Sequence, residues 1–475
     1  MAPVLVATCL AVTVAAAAVA ASLDALLVLI VAVVGIAAFV AAWQRPILLF
    51  YAYCAAVPFN FALPPGPAGT VARIAGVVFF LGYLLRRPES LRPGTIPLVG
   101  WLFVLWALAS CLWAVDPDLA FSSWLSLAQL FAITVLIASL VAENPGIVRL
   151  ALWSYAMSAT LTAVIALSSF QQSSIFYVSR AAAFADQDPA LFASLVLPAA
   201  VFLMGEVQSG AASRLVRIFA AAALTVCVVA LALSGTRSAW VGLAIATLVW
   251  LIVERNPRQI FAVAVLACGV GLLVASVPGV GDFLFGRAEQ SLATGGSGRT
   301  DIWVVGLSIM ASAPLLGVGF GDFGPAFTPY AIAQASGASN ASGALFPGRG
   351  AHNVLLGASV ETGLVGGLLL VAFFASALLK ATSDRGNVIR MALISLYVQS
   401  MFLDILQQKQ LWLVLAVAFG LAASKRAIVS VAPKKRGHTM TWALPTGEPP
   451  PAPRPGPSPR VQHRHQPARQ AGCPE

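Results

Sequence analysis

The sequence predicts an all-α polytopic membrane protein, and three observations carry that prediction. Hydrophobic residues make up 59% of the 475, and charged residues only 10%. Uninterrupted apolar runs long enough to cross a hydrocarbon core of about 30 Å recur from end to end. Basic residues fall in the short segments between alternate runs. A soluble chain carries about 25% charged residues, so a water-soluble fold is excluded. Disorder is excluded over most of the length, because apolar content this high must be buried.

Helices satisfy their own backbone groups in lipid, so each run is read as a helix. The predicted spans are 3–21, 23–42, 47–63, 70–85, 97–114, 121–141, 147–169, 190–206, 214–233, 238–253, 259–277, 353–379, 388–405 and 410–424, which gives about 12–14 transmembrane helices. The first ends in Ala18-Val19-Ala20, which resembles a processing site. It lacks the charged n-region of a signal sequence and is kept as a membrane helix. Pro58, Pro64 and Pro65 interrupt the third run.

Arg45, Arg86, Arg87, Arg92, Arg149, Arg214, Arg217, Arg255, Arg258, Lys380, Arg385, Arg390, Lys425 and Arg426 all belong on one side, and the positive-inside rule makes that side the cytoplasm. Both termini are then cytoplasmic. The formal charge of +10 does not describe a nucleic-acid groove. From Lys425 onward nine Lys/Arg stand against Glu448 and Glu475, so +7 of the +10 lies in one tail. The domain reading is a transmembrane domain over 1–424 and a disordered, basic, Pro-rich cytoplasmic tail over 425–475.

The opposite face receives one long extracytoplasmic loop, 278–352, rich in Gly, Ser and Ala. Within it Gly298–Ala313 reads as a short amphipathic helix at the membrane surface. A loop of this length in a compact protein is functional or disordered, and its charged and aromatic residues favour function.

That face also holds the chemistry. Three of the four histidines lie in the tail. The fourth, His352, stands where the long loop re-enters the membrane, followed by Asn353 and Glu361. Imidazole titrates near neutrality, so it suits a general base toward a hydroxyl. A hydrogen-bonded histidine at a helix N-terminus is the competing reading. Arg180, Arg237 and Arg299 stand out among the arginines of this face. Guanidinium groups bind phosphate oxygens through paired N–H donors, and helix N-termini favour anions. Three such sites converging make a pyrophosphate clamp; contact with lipid headgroups is the alternative. Asp301 and Trp303 in the loop helix are candidates for touching a sugar or for capping and anchoring the helix. Lys409 reads as an interfacial anchor, whereas Glu361, inside the membrane, is costly enough to imply a role. The sequence contains no nucleotide fingerprint or zinc spacing, and the six cysteines show no metal-ligand spacing. No metal site and no cofactor are expected.

Gly298-Arg299-Thr300-Asp301-Ile302-Trp303, then Pro314 to Phe323, then Ala351-His352-Asn353 and Glu361-Thr362-Gly363 together resemble the O-antigen ligase/polymerase superfamily. Ser234 to Trp240, the Arg180–Phe184–Asp188 series and Lys409-Gln410-Leu411-Trp412 are similar to motifs of the same family. The likeness covers roughly 175–425. It implies a glycosyltransferase of the cell (inner or plasma) membrane that works in surface polysaccharide biosynthesis. The donor would be an undecaprenyl-pyrophosphate-linked glycan and the acceptor a saccharide or lipid-linked glycan, with no nucleic acid involved. It further implies that His352 occupies the catalytic histidine position. Arg237 and Arg299, with Arg180 as a third, would bind pyrophosphate, and Asn353, Glu361, Asp301 and Trp303 would support them. Transfer would be metal-independent and inverting, with polymerisation slightly favoured over ligation by the span count. Family members often carry Asn where this chain has Asp188. A transporter of a small anion or solute is the alternative. It would place ionisable groups at mid-membrane in repeated, broken helices, whereas here they gather at one face.

Overall fold

The computed structural model describes residues 45–62, 70–170, 180–184, 187–254, 299–337, 350–381 and 384–431. The predicted spans 3–21, 23–42 and 259–277, and the tail beyond 431, lie outside the described residues.

Each of the eleven other predicted spans coincides with a helix, and no strand occurs among the described residues. In chain order they are α1 (Pro46–Ala56), α2 (Val71–Arg86), α3 (Leu98–Ser110), α4 (Pro117–Glu143), α5 (Val148–Ser168), α6 (Pro189–Gln208), α7 (Arg214–Leu233) and α8 (Arg237–Glu254). The long segment that follows contributes α9 (Arg299–Ser312) and α10 (Phe323–Gly337), after which come α11 (Val354–Lys380), α12 (Asp384–Ser400) and α13 (Lys409–Val431). By length and composition α4, α5, α6, α7 and α11 each suffice to cross a membrane. A bent pair, Pro88–Thr95 with Leu98–Trp113, adds a sixth if taken as one span. The chain is therefore an all-α multi-pass membrane protein.

Local chemistry sets the helix starts. Thr70, Asp116, Asp188 and Ser213 each cap an N-terminus with a side-chain oxygen that accepts a backbone N–H, satisfying donors the helix leaves free. Proline opens α1, α4 and α6, where its missing N–H costs nothing. Outward-facing Leu85, Leu98, Leu215, Leu368 and Leu379 remain exposed, which suits lipid rather than water as solvent.

The main core joins α1–α8 and α11–α13. Close approach of α8 and α12 depends on Gly242, where a Cβ would lie 2.5 Å from the Ser395 carbonyl oxygen; small residues at such crossings let helices associate in lipid. Arg149 locks α5 to α6 through a bidentate pair with Glu206, at 3.0 and 2.6 Å.

A second, smaller core unites α9, α10 and the start of α11 around Ile302, Val305, Ile309, Phe323, Phe327 and Val360. Helix α9 matches the helix predicted at 298–313, but its outer face is mixed. Val304 and Leu307 are exposed beside Asp301. Helix α10 was not anticipated, because Gly324, Pro325 and Pro329 read as breakers and the segment's small residues give no apolar period.

Candidate active site

The site is built on a break in α11. At Gly363 the backbone turns to φ 70°, ψ −179°, a conformation essentially restricted to glycine. A break inside a membrane helix leaves carbonyls and N–H groups without partners, a cost that lipid does not relieve. The crossing loop 314–322 takes them up. Val318 and Gly319 donate to the carbonyls of Val360 (3.1 Å) and Glu361 (2.8 Å), and Leu364 donates to the Pro314 carbonyl at 2.8 Å. The Trp106 indole donates to Thr362 O at 2.8 Å.

The same loop is stitched to the end of α3 and the start of α4. Phe320 donates to Ser110 Oγ at 3.0 Å, and Asp116 donates to Asp322 Oδ2 at 2.7 Å. Asp322 is wholly buried. Burial pushes its carboxyl above the usual range, with the charge of Asp116 adding to the rise and the N–H groups of Asp116 and Val115 opposing it. Glu361 accepts the Phe323 N–H at 3.4 Å. Its carboxylate thereby clasps the start of α10 from the third turn of α11.

His352 takes φ 48° and is the sole non-glycine residue at positive φ among the described residues. The left-handed conformation is uncommon outside Gly, Asn and Asp. Neighbours on both sides impose it. Asn353 caps α11, its Oδ1 accepting from Leu355 and Leu356 at 3.0 Å each. On the other side the Trp303 indole donates to Ala351 O at 3.2 Å. Arg299 lies one turn before Trp303 on the same face of α9. Asp301 is exposed on the first turn of α9.

A carboxylate faces this turn from the α12–α13 connection. The protein around Asp404 raises its carboxyl, while the Leu406 N–H and the charge of His352 lower it. The connection is rigid: Leu406 donates to Asp404 Oδ1 at 3.2 Å, Trp412 donates to Leu406 O at 2.6 Å, and the Phe402 ring stands 6.4 Å from that of Trp303. The influence of the His352 charge on Asp404 spans 52 positions, which no local pattern signals.

The other two arginines sit on one turn. Arg180 donates through Nε to Ser234 O at 2.8 Å and through Nη2 to Thr236 Oγ1 at 3.1 Å. It thereby holds the Gly235 turn (φ 61°) that launches α8, whose first residue, Arg237, is exposed. Thr236 Oγ1 also donates to Pro189 O at 3.3 Å, and Gln399 of α12 donates to Ala190 O at 3.4 Å. Asp188 is the α6 cap, with its Oδ1 accepting from Ala190 at 2.6 Å. The segments bearing Arg180 and Arg237 thus meet the C-terminal end of α12, which leads directly into Phe402 and Asp404. Asp186, Arg287 and Arg349 lie outside the described residues.

The loop helix that opens with Arg299 thus meets the residue before His352, and the segments bearing Arg180 and Arg237 meet the end of α12 that leads to Asp404. A family model described as O-antigen ligase matches residues 220–371, the stretch from α7 to the middle of α11. The stretch 220–371, less than half of the chain, is thus similar to O-antigen ligases. A search of curated proteins gave no match to the chain.

Proposed function

We propose that the protein transfers glycan from an undecaprenyl-pyrophosphate carrier to a hydroxyl of a second saccharide at the extracytoplasmic face of the cell membrane, with both termini cytoplasmic. The observation that carries this reading is His352. It is held in a left-handed turn, on the residue next to the carbonyl that anchors the Arg299 helix, and its charge acts on the Asp404 carboxyl. His352 removes the acceptor proton, and Asp404 orients the imidazole and steadies its cationic form. Arg299 and Arg237 receive the pyrophosphate as it departs, while Arg180 holds the turn that aims Arg237. Attack on the anomeric carbon opposite the leaving pyrophosphate inverts it. The carrier already holds a good leaving group, so neither a nucleotide nor a metal is needed.

A broken membrane helix is also a transporter feature. Here the carbonyls freed in α11 already accept N–H groups of the crossing loop and of Trp106, so the break is closed by protein, which favours the enzyme. Repeated extension, rather than a single transfer, is the reading retained. The test is turnover of a synthetic undecaprenyl-pyrophosphate oligosaccharide by detergent-purified protein in EDTA, with product NMR. A ladder of inverted linkages is expected; a single addition makes the protein a ligase, and retained configuration overturns direct displacement.

A further inference from the structure

The crossing loop turns side chains outward that water does not suit. Pro314, Leu315 and Leu316 are exposed in succession, the two leucines at 63% and 48%. Beside them, at the corner between α3 and α4, Leu112 is 87% exposed and Val115 58%. Loop and corner are joined directly: the Trp113 indole donates to Leu316 O at 3.1 Å, and Val115 donates to Val318 O at 3.0 Å. No charged residue lies between Ser312 and Asp322, or between Arg92 and Asp116. An exposed apolar patch of this kind marks a contact surface. It is continuous with the outer faces of two membrane helices. Leu98, Leu102 and Leu105 face outward along α3 and lead to Leu112, while Leu364, Leu368 and Leu379 face outward along α11.

Helix rise gives the depth of the patch. Lys380 is the first charged residue after Glu361, and the α11 axis runs about 26 Å from Gly363 to Lys380. With Lys380 at one boundary of a hydrocarbon core of about 30 Å, the loop beside Gly363 lies just inside the other, and the usual helix tilt of about 20° sets it deeper. Irregular backbone survives at that depth only where protein satisfies its polar groups. The loop meets this condition. Pro314 has no N–H to satisfy, and the carbonyls of Ala313, Pro314, Leu316 and Val318 accept from Gly317, Leu364, the Trp113 indole and Val115. Its polar backbone is closed by protein, and its outer side is apolar.

We infer that residues 314–316 form a re-entrant tip set into the membrane leaflet on the His352 side, with Leu112, Leu315 and Leu316 among its acyl chains. The occupant of this surface is lipid, because the patch prolongs the outward leucine rows of α3 and α11 without a polar rim between them. The start of α11, next to the His352 turn, stands about 14 Å farther along the helix axis than Gly363, beyond the hydrocarbon and level with the head groups. The inserted tip thereby fixes the height of that turn over the bilayer. The value of that height for a lipid-borne substrate rests on the transferase reading above; the insertion does not.

The test is photolabelling of the full-length wild-type protein in phosphatidylcholine nanodiscs containing a phosphatidylcholine with a diazirine on its acyl chain. Adducts are read by peptide mass spectrometry, beside hydroxyl-radical footprinting from the water. Acyl-chain adducts at Leu315 and Leu316 should be as frequent as those at Leu368, and radical oxidation of all three equally slow. Oxidation of Leu315 and Leu316 well above that of Leu368, without adducts, overturns the insertion. Protection of both from both reagents also overturns it, since that result marks a second copy of the chain seated on the patch. Neither readout depends on turnover. Adducts at the tip without glycan transfer defeat only the proposed function, and transfer by a protein whose tip is labelled from water defeats only this inference.

Discussion

The indole of Trp303 donates to the carbonyl oxygen of Ala351 at 3.2 Å. That bond fastens α9 to the residue before His352 and explains why a helix inside the long loop matters to the site at all. Arg299 rides one turn away on the same face of the helix. Substituting Trp303→Phe should leave the fold intact but lower turnover more than it changes donor binding, as kcat and KM measured separately would show.

His352 carries both a backbone constraint and a proposed chemical role, and two substitutions separate them. Asn tolerates the left-handed region, so His352→Asn should keep the thermal midpoint of the wild type and lose roughly 10²–10⁴-fold in turnover. His352→Val should lose stability as well, by about 1–3 kcal/mol from the strained backbone. Equal turnover in His352→Asn and wild type would assign the residue a purely structural part.

Asp404 gives a pH prediction. Its carboxyl is raised by the surrounding protein and lowered by the charge of His352. The attraction is mutual, so the carboxylate favours the imidazolium. Removing it in Asp404→Asn should move the acid limb of the pH–rate profile to lower pH. For stability the case is the wholly buried Asp322, with a sign opposite to that of a salt-bridged aspartate. A carboxyl raised in the folded state favours folding below the ordinary aspartate range and loses that contribution as pH rises through its raised value. Asp322→Asn should therefore flatten the decline of thermal midpoint with rising pH.

Gly363 and Gly210 make a matched pair. A Cβ at Gly363 would overlap the Leu315 carbonyl and impose strain at φ 70°, whereas a Cβ at Gly210 would meet nothing within 4 Å. Gly363→Ala should cost about 3 kcal/mol or more and reduce the yield of monodisperse protein; Gly210→Ala should be silent in both measurements.

Much of this was legible in the sequence. The apolar runs located a helix at each predicted span that falls among the described residues, five of them long and apolar enough to cross a membrane, because lipid demands continuous helices and tolerates few charges. Gly298 to Ala313 announced α9, and His352 stood out because it alone of the histidines lies outside the tail. What stayed hidden depends on contacts distant along the chain. Nothing near Arg180 indicates that it would hold Ser234 and Thr236, 54 and 56 positions away. Asn353 and Glu361, expected to support catalysis, are used for capping α11 and clasping the crossing loop. The break at Gly363 was equally silent, since Glu361-Thr362-Gly363 sits inside an unbroken apolar run and only the crossing of 314–322 makes a kink there affordable.

Arg180 should behave as a positioning residue. Its two bonds are to backbone and hydroxyl oxygens of the α7–α8 turn, so Arg180→Ala should cost about 1.5–3 kcal/mol of stability in addition to activity. Arg237→Ala, at an exposed position, should lower activity with little change in thermal midpoint. Arg237→Lys should recover only part of it, because a point charge does not reproduce two parallel N–H contacts.

The most direct test of the central claim is glycan transfer by purified protein from undecaprenyl-pyrophosphate oligosaccharide in EDTA, comparing wild type with His352→Asn and Arg299→Gln at equal thermal stability. The account predicts product from the wild type and loss of about a hundredfold or more in each variant. Turnover by a well-folded His352→Asn protein at the wild-type rate would contradict it.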